Sequence, residues 1–179
     1  MPLKSDAQSF LSVIEVNKGI IYKVANSYCR DVENRKDLIQ EIIVQLWLSF
    51  DKYDETYKLT TWMYRIALNV SISFYRKENR RDEINQPLPD EILYLHEEKN
   101  AGESQAKADQ LYGFIKELKE IDRAIILLYL EENSQQEIAE ILGLTATNIA
   151  TKVSSSITSM RPSSLMRAII AFITPGGSW

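Results

Sequence analysis

Residues 60–81 read TTWMYRIALNVSISFYRKENRR. The side chains gathered there suit contact with opened nucleic acid. Aromatic rings stack on base faces, an amide bonds base edges, and Arg or Lys pair with phosphates. Trp62, Arg65, Asn69, Arg76 and Arg80 recur near i, i+3, i+7, i+14 and i+18, so they share one stripe of a helix. Met63, Ile66, Ala67, Val70 and Phe74 recur at i, i+3, i+4, i+7 and i+11 and predict a core stripe about a quarter-turn away. Two readings of the first stripe stand side by side. It is a surface for unpaired strands, or Trp62 and Tyr64 are half-buried packing residues and the basic end answers the helix dipole.

A second cluster lies at residues 135–154, QQEIAEILGLTATNIATKVS. Ala139, Gly143 and Ile149 have the spacing of a helix-turn-helix: a small residue for close approach, a glycine for positive φ at the turn, and an apolar pin on the second helix. Thr145 is a good N-cap for that second helix, and Ser134 with Glu137 predicts a capping box on the first. Thr145, Thr147, Asn148, Thr151 and Lys152 are the side chains placed to reach groove edges and phosphates. The plainer alternative is a helical hairpin that only packs.

A third set comes from DLIQEIIVQLWLSF, residues 37–50. Ile39, Ile42, Ile43, Leu46 and Phe50 predict a core face. Asp37, Gln40 and Glu41 gather on another face, with apolar Val44 and Leu48 beside them. Either this is a solvated helix face with an acidic first turn, or it is a docking face for a protein.

The elements that must position these residues are helices. Only six glycines and five prolines are scattered through 179 residues, and runs of strong helix formers dominate. The expected fold is all-α: two small helical domains joined by a flexible polar linker, the second containing the helix-turn-helix. The expected boundaries are 1–84, a linker at 85–108, 109–162 and a tail at 163–179. Within the linker, Ile92 to Leu95 form a short apolar patch. Hydrophobic residues make up 45% and charged residues 26%, ordinary for a core-forming protein. A net charge of −4 argues against non-specific coating of nucleic acid, so any DNA contact is local or depends on a partner.

Other classes are disfavoured. Apolar stretches such as Ala168–Ile173 fall far short of the roughly 20 residues that span a bilayer. No leader pattern opens the chain, and a lone Cys29 fits a reducing compartment, so a cytoplasmic location is expected. His96 lies in the polar linker. No Cys/His metal cluster, phosphate-binding glycine loop or nucleophile elbow appears, so the expectation is a non-enzyme without metal or cofactor.

Taken together, these segments resemble the bacterial sigma factors of the extracytoplasmic-function (ECF) class, over roughly residues 10–160. Asp37-Leu38-x-Gln40-Glu41 followed by Leu46-Trp47 is similar to the family's segment that grips the β′ clamp helices of core RNA polymerase. Thr61-Trp62-Met63-Tyr64-Arg65-Ile66-Ala67-Leu68-Asn69 resembles its promoter-melting segment. The resemblance implies that Asp37, Gln40, Glu41, Val44 and Leu48 bind polymerase. It implies that Trp62, Tyr64, Arg65 and Asn69 hold the minus-ten element, with Arg76, Lys77, Arg80 and Arg81 following the backbone. The second block resembles the domain that reads the minus-thirty-five element. Implied partners are core RNA polymerase (clamp helices and β flap), promoter DNA and an anti-sigma factor.

Two departures stand out. Ala150, Ser154, Ser155 and Ser156 occupy positions where the family often carries basic residues, which predicts weaker minus-thirty-five binding and a shallower salt dependence. The tail PSSLMRAIIAFITPGGSW matches no part of the family pattern. Competing readings are a stand-alone helix-turn-helix regulator and a sigma-like factor that binds polymerase without reading DNA.

Overall fold

The computed structural model describes residues 7–29, 31–53, 55–84, 115 and 118–160. All regular structure among them is helical: α1 (Ala7–Tyr28), α2 (Val32–Phe50), α3 (Leu59–Ile84), α4 (Glu120–Leu130), α5 (Gln135–Leu142) and α6 (Ala146–Met160). The linker at 85–108 with its Ile92–Leu95 patch and His96, the tail at 163–179, and the side chain of Arg81 lie outside the described residues.

Local chemistry sets the helix starts. Asp31 is extended and its carboxylate accepts from the Asn34 N–H at 2.8 Å, capping α2. Ser134 and Glu137 close the predicted capping box on α5 reciprocally. Gly143 ends α5 at φ 67°, and both its N–H and that of Leu144 reach the Ala139 carbonyl. A Cβ at Gly143 would meet nothing within 4 Å, so the backbone angle, not crowding, selects glycine there. Thr145 then caps α6, accepting from the Asn148 N–H at 3.2 Å.

α1, α2 and α3 pack mutually, as do α4, α5 and α6. Leu38, Ile42, Leu46 and Phe50 form the buried face of α2. This shifts the expected face, since Leu38 is fully buried while Ile39 and Ile43 are half-buried. Phe10 meets Trp47 and Phe50 edge-on, at 5.1 and 5.3 Å, and ties α1 to the end of α2. In the second unit, Ile138, Ala139, Ile149 and Val153 are buried where α5 and α6 cross, as the Ala-Gly-Ile spacing predicts.

The two units share one hydrophobic core. α4 contacts α1 and α3, and α5 contacts α3. Six consecutive α4 residues, Arg123 to Leu128, are buried, because the helix is covered from both units. The buried arc of α3 widens for the same reason. Beyond Met63 and Ala67 it takes in Tyr64, Leu68, Ser71 and Ile72, while the expected core residues Ile66, Val70 and Phe74 are only half-buried. The centre of burial is thus turned about a quarter-turn from the sequence expectation, at roughly 100° per residue.

Candidate nucleic-acid interface

α3 brings Trp62, Arg65, Asn69, Arg76 and Arg80 along one side, as the periodicity predicts. Asn69, Arg76, Lys77 and Arg80 are exposed. Trp62 is half-buried: its ring meets Tyr53 at 5.3 Å and Phe50 at 6.3 Å, which places it against the end of α2. Arg65 lies over the Tyr57 ring at 4.7 Å and donates to the Glu140 carbonyl at 2.6 Å. Arg76 Nε donates to the Glu120 carboxylate at 3.0 Å.

Tyr64 requires a correction. It is only 6% exposed and faces α4 rather than the stripe, with its hydroxyl 3.4 Å from Glu131 Oε2. At about 100° per residue, Tyr64 sits some 160° round the helix from Trp62, so geometry alone separates the two.

On α6, Thr145, Thr147, Asn148 and Thr151 are exposed. The Thr145 oxygen is engaged in capping, and the Thr151 hydroxyl donates to the Thr147 carbonyl at 3.0 Å. Lys152 is half-buried and ion-paired to Asp122 at 2.7 Å. On α2, Asp37, Gln40, Glu41, Val44 and Leu48 are all exposed along one face. Val44, Trp47 and Leu48 expose 48%, 41% and 61% of their surface, which makes that face apolar as well as acidic.

The sequence reading missed the residues that join the two units. Arg123, 1% exposed, donates to the Ser27 and Leu118 carbonyls at 3.1 and 3.0 Å, with the Tyr28 ring 5.0 Å away. The Tyr28 hydroxyl donates to the Glu120 carbonyl at 2.6 Å, and burial raises its pKa. Lys23 pairs with Glu131 at 2.6 Å and Lys58 with Glu137 at 2.7 Å. Lys58 and two Ser134 bonds hold the Glu137 carboxyl down at about 2. Glu120 is also lowered, first by its own backbone N–H and then by Arg76, against the opposing effect of burial. The one available signal was a cation inside an apolar helix: Arg123 stands in IDRAIILLYL.

Among the described residues, no group of three or more His, Cys, Asp or Glu is placed to hold a metal. No described helix is long and apolar enough to cross a membrane.

Comparison with known proteins follows this layout. The Sigma-70 region 2 family matches residues 13–81, spanning most of α1 to α3, and the Sigma-70 region 4 family matches residues 108–156. The ECF RNA polymerase sigma factor SigW of Bacillus subtilis is 26% identical over 160 residues, 84% of this chain and 86% of that protein. SigM of the same organism is 26% identical over 129 residues, covering 72% and 78%. The solved structure of CnrH in complex with the cytosolic domain of CnrY has the same fold, with a TM-score of 0.60 at 16% identity, over 94% of this chain and 89% of that one.

Proposed function

We infer a mechanism from family membership: this chain belongs to the sigma-70 family, in its ECF class, and is a sigma factor that directs transcription. Residues 1–84 act as the unit that docks on core RNA polymerase and engages the minus-ten element. Residues 109–162 act as the unit that reads the minus-thirty-five element. The work is binding rather than catalysis, and it is carried out where the polymerase is, in the cytoplasm.

The observation that supports the docking assignment is the α2 face. Asp37, Gln40, Glu41, Val44 and Leu48 run along it, exposed, acidic and apolar at once. Such a face suits the clamp helices of core polymerase. On α3, Asn69 offers an amide to a base edge while Arg65, Arg76, Lys77 and Arg80 answer phosphates. Arg81 continues that basic run in the sequence. Trp62, whose ring lies tilted 5.3 Å from that of Tyr53, lends a partly exposed ring for stacking. On α6, Thr147, Asn148, Thr151 and Lys152 face duplex DNA, with Thr145 fixing the start of the helix. An anti-sigma factor is a further partner, in keeping with the complex in which CnrH was solved.

The test is co-elution of the purified chain with bacterial core RNA polymerase on a sizing column. Co-elution that Gln40→Ala/Glu41→Ala abolishes supports the docking face. A folded chain that does not co-elute would overturn it and favour a stand-alone helix-turn-helix regulator.

A further inference from the structure

The unit assigned above to the minus-thirty-five element is short of positive charge. Residues 118–160 hold three cations, Lys119, Arg123 and Lys152, against six carboxylates, a net charge of −3. Arg123 is buried and bound to backbone carbonyls. Lys119 stands ahead of α4. The helix that faces the duplex, α6, carries Lys152 as its one cation. That ammonium donates to Asp122 Oδ1 at 2.7 Å, in the first turn of α4 and within the same unit. The two side chains are 36% and 23% exposed, each less than either member of the surface pairs Lys18–Glu15 and Lys36–Glu33, so salt screens this pair less. A carboxylate in that turn also suits the dipole of α4.

We propose that Asp122 sets the electrostatic strength of minus-thirty-five reading: it cancels the one cation of α6, so that this helix meets duplex DNA through neutral groups, Thr147 and Asn148, with no net gain from phosphate. The proposal rests on the reading that α6 faces duplex DNA. An ammonium has three N–H donors, so Lys152 can keep Asp122 and still approach a phosphate. Two charge-assisted bonds end to end then put the carboxylate within about 6 Å of that phosphate. Attraction by the ammonium and repulsion by the carboxylate nearly offset, and few counterions leave the DNA. Breaking the pair instead leaves a half-buried carboxylate without its partner, so that route gains little either. Phosphate contacts carry no sequence information. With that contribution cancelled, α6 contributes base-edge contacts, and the grip on the duplex has to come from elsewhere in the polymerase complex.

The full chain is titrated against a fluorescein-labelled duplex of mixed sequence, about 30 base pairs long, between about 0.05 and about 0.5 M salt. Asp122→Asn is compared with Glu132→Gln, which removes the same charge from an exposed position just after α4. The slope of log affinity on log salt is expected to be steeper for Asp122→Asn by roughly 0.9, one phosphate's worth. That corresponds to roughly eightfold tighter binding at 0.1 M salt, with the gain fading towards 1 M. Lys152→Ala is expected to leave the wild-type slope unchanged and to remove the extra slope of Asp122→Asn. A purely structural role of Asp122 in α4 would change stability and not this slope. Equal slopes for Asp122→Asn and Glu132→Gln would overturn the proposal. So would extra slope that survives Lys152→Ala, or a full phosphate's loss from the wild type on Lys152→Ala alone. Thr147→Ala/Asn148→Ala separates the two failures. If that variant binds the duplex as the wild type does and Asp122→Asn also changes nothing, the reading that α6 faces DNA has failed. If it weakens binding while Asp122→Asn keeps the slope of its control, only the cancellation has failed.

Discussion

The Arg123 guanidinium lies 4.6 Å above the ring of Tyr75, so a buried cation on α4 is stacked on the far end of α3. The same group holds the Ser27 carbonyl at the end of α1. One side chain of α4 thus meets two helices of the other unit and makes their contact specific. Arg123→Ala leaves backbone carbonyls unsatisfied and a cavity behind, and is expected to cost about 2–4 kcal/mol of stability. Arg123→Lys keeps the charge without the planar fork and is expected to recover only part of it. Urea unfolding of both variants checks this; full recovery by lysine would contradict the stacking account.

Tyr64 and Asn69 separate packing from recognition on one helix. Tyr64→Phe removes a hydroxyl 3.4 Å from Glu131 and leaves the ring buried. It is expected to leave promoter opening by the polymerase complex unchanged. Asn69→Ala alters an exposed amide and is expected to reduce opening severalfold while core binding persists. Permanganate footprinting of the melted strand reads both. A larger defect from Tyr64→Phe than from Asn69→Ala would reverse the assignment.

Gly143 turns the helix-turn-helix at φ 67°. Gly143→Ala meets no steric neighbour, so its cost is that of the left-handed backbone alone, about 1–2 kcal/mol. Thermal unfolding should show this loss. An unchanged midpoint would mean the turn tolerates a different backbone geometry.

Acid should loosen the joint between α3 and α5. Glu137 titrates at about 2 rather than at its ordinary 4.5, because Lys58 and Ser134 bind its charged form, with Glu140 nearby acting on Lys58. A depressed carboxylate adds stability that is complete above its unfolded pKa and disappears as pH falls through the folded one. The charge-dependent part of the stability difference between wild type and Glu137→Gln is therefore expected to be full above roughly pH 5, to shrink as the pH falls, and to vanish only below about pH 2. Denaturation at a series of pH values measures it. A pH-independent difference would mean the carboxylate charge is not what matters.

Much of the candidate site was legible because it depends on neighbours in sequence. The capping box, the glycine turn and the Ala139–Ile149 packing involve residues a few positions apart, and local hydrogen-bond chemistry dictates them. The exposed face of α2 and the stripe from Arg65 to Arg80 followed from helical period. The same period placed Tyr64 off that stripe, yet family likeness grouped it with the DNA-facing residues.

What tertiary structure alone decided is how the two units meet. Arg76 and Glu120 are 44 positions apart, and Lys23 and Glu131 are 108 apart, so no window of sequence relates them. Covering α3 from a second side widened its buried arc, drew in Tyr64, Leu68 and Ile72, and occupied cations that periodicity had assigned to solvent. Amino-acid order determined the amphipathic helices of the described residues, their caps and a helix-turn-helix, because those are short-range matters of torsion, hydrogen bonding and period. The closed contact arises from apolar surfaces and opposite charges that the chain brings together only after the helices have formed.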